Sequence, residues 1–118
     1  MTRTMPNSEK LPYALYRSAQ VRELDRCAIE DHGIAGLTLM QRAGAAAFAL
    51  AQSRWPAAGD ITVLCGIGNN AGDGYVLARL ALQAGSTVRV LQLGDPGRLK
   101  GDALVCASAY REAGGEVH

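Results

Sequence analysis

The sequence predicts an α/β fold: an incomplete three-layer αβα Rossmann-like parallel sheet, preceded by two N-terminal helices. Three observations predict it. Two apolar runs of strand length, Asp60-Ile61-Thr62-Val63-Leu64-Cys65 and Thr87-Val88-Arg89-Val90-Leu91-Gln92-Leu93, each lead into residues with helical spacing, and a third short run, Glu116-Val117-His118, follows. The first run opens into Gly66-Ile67-Gly68-Asn69-Asn70-Ala71-Gly72-Asp73-Gly74, a turn-rich segment where parallel sheets place their ligands. Parallel sheets bury both faces and usually have about four or more strands, so two strands and a stub are expected to begin a longer domain or to be completed by another chain.

Each element has a local reason. Residues 1–15, with Pro6, Asn7, Ser8, Glu9 and Lys10 but no apolar core, are expected to be a flexible N-terminal tail and not a secretory signal. Ser18 is expected to cap a first helix whose Val21, Leu24 and Ala28 share a face with Cys27 beside them, and Gly33 is its stop. Arg22, Glu23, Asp25, Arg26 and Glu30 make its other face a solvated surface. Thr38 is expected to cap a second helix through Leu39, Met40, Ala43, Ala47 and Leu50 to about Trp55, where Pro56 forbids continuation. Gly44 lies in its middle at a cost of about 1 kcal/mol, which predicts close approach to another backbone, the sheet or the partner in a homodimer. An alanine-rich helix with one tolerated glycine is the plainer alternative.

Asparagine favours caps and turns, so the polar loop is expected to continue to Gly74, with the third helix over about 75–83 and Ala84-Gly85 as its C-cap. Gly94-Asp95-Pro96-Gly97 turns the chain after the second strand. A fourth helix over about 100–113 then shows Ala103, Leu104, Ala107 and Tyr110 at helical spacing, closed by Gly114-Gly115.

Composition narrows the function. A chain of 118 residues, 48% hydrophobic and 19% charged, is one ordinary globular domain in size. A net charge of +1, from 12 basic and 11 acidic residues, leaves no electrostatic footprint for nucleic acid or an anionic membrane. Aromatic residues are 5%, too few for a stacking platform. Cys27, Cys65 and Cys106, odd in number and set among apolar residues, read as reduced, buried thiols of a cytoplasmic protein.

The 66–74 segment admits several readings. Its glycines let a backbone approach a ligand, and the N–H groups at the start of a helix attract an anion, so a phosphate-bearing ligand is expected. Gly66-Ile67-Gly68-Asn69-Asn70-Ala71 also satisfies the dinucleotide fingerprint G-x-G-x-x-A, with Asp95 as the ribose acid of an oxidoreductase half, but that motif alone is weak. No Gly-Lys-Ser/Thr follows, which removes the P-loop. A purely structural loop is the bland alternative, disfavoured because such connections usually run about 2–6 residues. A non-catalytic dinucleotide-binding or partner-recognition module is the remaining one.

Gly66-x-Gly68-Asn69-Asn70-x-Gly72-Asp73-Gly74 resembles the signature loop of the NAD(P)H-hydrate epimerase family, the YjeF N-terminal domain. The resemblance extends to Leu39-Met40-Gln41-Arg42-Ala43-Gly44 and to Ser18-Ala19-Gln20-Val21-Arg22-Glu23-Leu24-Asp25, and covers about residues 16–118. It implies that 16–118 are the N-terminal part of an epimerase domain acting on NADHX and NADPHX, nicotinamide cofactors to which water has added. It also implies an ATP- or ADP-dependent dehydratase as a fused or separate partner. Carried over by position, Asn69, Asn70, Ala71, Gly72 and Asp73 bind substrate, and Asn70 gives its side-chain oxygen to a potassium ion. A carboxylate at Asp73, near a helix N-terminus, is also a favourable placement on the helix dipole, and a helix cap is its plainer alternative.

Ile67 stands where the family commonly has proline, Ala71 where it has glycine and Gln41 where it has glutamate. A methyl at position 71 puts close approach in doubt if that residue needs positive φ, and Gln41 puts in doubt any ionic role there. The family's remaining potassium ligands, second substrate loop and acid/base aspartate have no counterpart in these residues. The 118 residues alone are therefore expected to be inactive, which turnover by a purified 118-residue protein would overturn.

Overall fold

The computed structural model describes residues 15–118. The tail expected over 1–15 lies, but for Leu15, outside them. The chain divides into two units, Met1–Ile34 and Ala35–His118.

The first unit contributes helix α1, Ser18–Arg26, which widens into a π turn, Cys27–Asp31. Gly33 at φ +68° ends it as expected, because the left-handed conformation there carries no Cβ penalty. Ser18 is the first helical residue and Arg17 the cap, since the Arg17 N–H donates to Gln20 Oε1 at 2.8 Å. Val21 and Leu24 are exposed and Cys27 is only half-buried, contrary to the expected inward face and buried thiol. Among the described residues of its own unit, this short helix meets no second apolar surface to bury such a stripe. The expected solvated face is present: Arg26 pairs with Glu23 at 2.6 Å and Glu30 at 2.8 Å, all exposed.

The second unit opens with α2, Gly36–Arg54, and ends it where Trp55 precedes Pro56. The helix starts two residues before Thr38, with Ala35 as cap, because Leu37 packs against the core and draws the first turn with it. Its packed stripe runs through Leu37, Met40, Gly44 and Phe48, while Ala43, Ala47 and Leu50 are exposed. The alanine spacing proved a poor guide because alanines fit either face of a helix. Gly44 is the close approach that its cost implied, and the approach is to a helix rather than the sheet. A Cβ there would lie 2.5 Å from Val76 Cβ and 2.9 Å from the Asp73 carbonyl oxygen.

Strands β1, Asp60–Cys65, β2, Thr87–Gln92, and β3, Glu116–Val117, form a parallel sheet in the order β1-β2-β3. Residue 61 pairs with 88, 63 with 90 and 65 with 92, so Ile61, Val63, Cys65, Val88, Val90 and Gln92 share one face. Helix α3, Asn70–Gln83, links β1 to β2, and α4, Gly101–Glu112, links β2 to β3. Right-handed crossovers between strands laid down in one direction put both connecting helices on the same face. The core forms there from Tyr75, Val76, Ala78, Ala81, Val88, Val90, Ala103, Cys106, Ala107 and Tyr110. On the opposite face Thr62 and Arg89 are exposed and Leu64 is 65% exposed, so the described residues supply two of the three predicted layers. Leu104, expected inward on α4, is exposed, and Cys106 takes the buried position instead. Among the described residues no helix is long and apolar enough to cross a membrane.

Candidate functional site

The loop that leaves the C-terminal end of β1 is shorter than its composition suggests. Helix α3 begins at Asn70 with Asn69 as N-cap, so only residues 66–69 are loop, and 71–74 form the first turns of the helix. The expectation that the loop runs on to Gly74 is thus corrected. Asn69 and Asn70 do mark a helix start, as asparagine prefers, and the glycines after them serve packing rather than a turn. None of Gly66, Gly68, Gly72 and Gly74 has positive φ.

Packing explains the two helical glycines. A Cβ on Gly72 would collide with Met40 Sδ and lie 3.1 Å from Ala103 Cα, while one on Gly74 would lie 2.8 Å from Cys65 Sγ. Together with Gly44 they let α2, α3, α4 and β1 converge closely at the start of α3. Gly66 and Gly68 are different: both are exposed, and an added Cβ would meet nothing within 4 Å. Packing among the described residues does not require glycine at either position.

Of the five residues implied as substrate-binding, Asn69 and Asn70 are exposed, and Asn69 makes no capping hydrogen bond with its side chain. Asp73 is half-buried in the first turn of α3. Ala71 and Gly72 are buried, and their N–H groups donate to the carbonyls of Gly68 at 3.1 Å and Asn69 at 3.0 Å. Ala71 has negative φ and its methyl lies in the core, so replacing glycine there brings no strain. The open polar surface is therefore the two carboxamides and the backbone before them, at the positive end of the α3 dipole.

Sequence reasoning passed over what holds this loop. Gln92, the last residue of β2, points inward and donates from Nε2 to the carbonyl oxygens of Gly66 at 2.7 Å, Cys65 at 3.2 Å and Leu93 at 3.2 Å. Its Oε1 accepts a hydrogen bond from the hydroxyl of buried Tyr75. A polar residue in the inward phase of Val88-x-Val90-x-Gln92 was the available signal. Burial, with the nearby Cys65 sulfur, raises the Tyr75 pKa and keeps its proton in place. Burial also pushes the Cys65 thiol up to about 11 and raises that of Cys106, as inert core thiols require. Asp95 accepts a hydrogen bond from the Gly97 N–H at 2.9 Å, capping the 3₁₀ turn Pro96–Arg98, a structural use for the carboxylate proposed on the ribose.

As a cation ligand, the exposed amide oxygen of Asn70 suits a weakly hydrated monovalent ion better than a soft metal. Among the described residues no three His, Cys, Asp or Glu side chains gather as a metal site.

Residues 36–118 match the family model described as YjeF-related protein N-terminus. Over 95 residues the chain is 53% identical to a bifunctional NAD(P)H-hydrate repair enzyme of Coxiella burnetii, covering 80% of this chain and 19% of that protein. It is 39% identical over 112 residues to the enzyme of the same name from Escherichia coli, covering 95% of this chain and 22% of that protein. A Rhodopirellula baltica NAD(P)H-hydrate epimerase is 38% identical over 95 residues, with 80% of this chain and 38% of that protein covered. The chain thus spans well under half the length of these relatives. With the family model matched from the start of α2 through the loop, α3 and the sheet, the chain belongs to the YjeF-related N-terminal family.

Proposed function

We propose that this chain contributes to an NAD(P)H-hydrate epimerase, which interconverts the R and S epimers of NADHX and NADPHX in nicotinamide cofactor repair. The observation that carries the reading is the pair of glycines at 66 and 68. Nothing among the described residues needs them, and close approach of a ligand at the C-terminal end of β1 accounts for their bare backbone. The names of the relatives supply the chemical class of that ligand.

In this reading the amides over 67–70 and the α3 N-terminus face the dinucleotide phosphates, because the N–H groups of 71 and 72 are already engaged. Asn69 and Asn70 add side-chain donors and acceptors, and Asp73 orients the ligand from one turn further along. Asn70 contributes one oxygen to a potassium ion, which supplies positive charge beside the anionic substrate. Ala71 and Gly72 act through their backbone and their packing. The reading includes a cytoplasmic enzyme and an ATP- or ADP-dependent dehydratase, fused or separate, that consumes one epimer.

Chromatographic equilibration of a pure epimer of NADHX by the complete protein, with and without potassium, tests it. The expected result is acceleration over buffer that increases with potassium. No acceleration removes the function, and acceleration indifferent to potassium removes the ion.

A further inference from the structure

We propose that Gln92 is a positioning residue for the 66–69 loop, oriented by Tyr75, and that it sets the loop's geometry for the dinucleotide. The second half of this inference rests on the function proposed above; the first does not. The loop has little packing of its own, since neither Gly66 nor Gly68 has a neighbour at its Cβ position. Two contacts from the neighbouring strand and turn offset that freedom. Gln92 holds the loop's first carbonyl, and Gly94, at φ +87°, seats Ile67, whose Cγ2 would lie 3.0 Å from a Cβ there.

The orientation of the amide is forced. Nε2 faces three carbonyl oxygens, which only accept, so the nitrogen must point to Cys65, Gly66 and Leu93 and Oε1 to Tyr75. The tyrosine is then the donor, and its ring is fully buried and tilted against Tyr110 with centroids 5.8 Å apart. A rigid core aromatic thus fixes a flexible side chain, which fixes a glycine loop. An aliphatic residue at 92 would extend the Val88, Val90 row into the core and leave the loop with only the Ile67–Gly94 contact.

The test is Gln92→Met in the complete protein, which keeps side-chain length and removes every side-chain hydrogen bond of residue 92. Amide hydrogen exchange of Ala71 and Gly72, whose N–H groups donate to the loop carbonyls of Gly68 and Asn69, is expected to quicken roughly tenfold while α4 keeps its protection. KM for hydrated NADH should rise about fivefold with kcat within about twofold, a split that a general loss of structure would not give. Unchanged exchange of the Ala71 and Gly72 amides with α4 intact overturns the inference, and faster exchange at wild-type KM overturns its link to substrate. If the wild-type protein shows no epimerase turnover, the functional reading fails, and exchange alone upholds or overturns the role of Gln92 in holding the loop. If Gln92→Met also exposes α4, Tyr75→Phe decides: it keeps the buried ring and deletes the hydroxyl, and the loop must still loosen.

Discussion

The two halves of the 66–74 segment look alike in composition and do opposite work. In the first half Gly66 and Gly68 stand in open space, beside exposed Asn69 and Asn70. In the second, Gly72 and Gly74 lie inside α3 against Met40, Ala103 and Cys65, where any side chain would collide. Glycine is used once to bare a backbone and once to remove volume, and neither use involves positive φ. The packed half makes the bare half possible, since the helix N-terminus can be aimed only if the turns behind it are held.

Substitutions separate the two uses. The largest effect belongs to Gly44→Ala, where the new methyl meets Val76 Cβ and the Asp73 carbonyl, neither of which can turn away. Net loss should be about 2 kcal/mol by urea unfolding, after about 1 kcal/mol gained in helix propensity. A neutral result would mean that α2 and α3 are not in close contact. Gly72→Ala should cost less, about 1 kcal/mol, because the Met40 thioether can rotate aside while Ala103 stays.

A smaller effect concerns pH. The buried Cys65 thiol, raised from 9.0 to about 11, holds its proton more tightly folded than unfolded. Its contribution to stability is complete below pH 9 and is lost as pH rises toward 11. Unfolding midpoints of Cys65→Ala should therefore fall less steeply than wild type across that window; parallel curves would show that the thiol is not desolvated. The smallest stability effect is that of Gly68→Ala, within about 0.5 kcal/mol. Its consequence should appear in KM for hydrated NADH, raised several-fold, and an unchanged KM would remove the bare-backbone argument.

Much of the fold was readable locally. The β1 and β2 runs, the stop at Pro56, the turn at Asp95 and the caps at Gly33, Gly85 and Gly114 all follow from short-range rules, and the structure agrees with them within a residue or two. What failed were inferences about faces. Ala43, Ala47 and Leu104 fall at helical spacing with buried residues and are nonetheless exposed, because small or aliphatic residues at several phases leave the buried stripe undetermined. The helix start at Asn70 failed for a related reason: glycine and asparagine in sequence look like a turn until the neighbours that exclude side chains are known.

The sequence by itself determined the order of strands and helices, the place of the loop and the family, since these depend on residue type and spacing along the chain. Only the tertiary structure decided that Gly44, Gly72 and Gly74 are packing glycines and that Gly66 and Gly68 are not. It also revealed that Gln92, 26 residues from Gly66, holds the loop. Those assignments depend on which atoms lie across the gap from a missing Cβ or a side-chain amide. Parallel pairing across a helical crossover creates such neighbours between segments that share no local pattern.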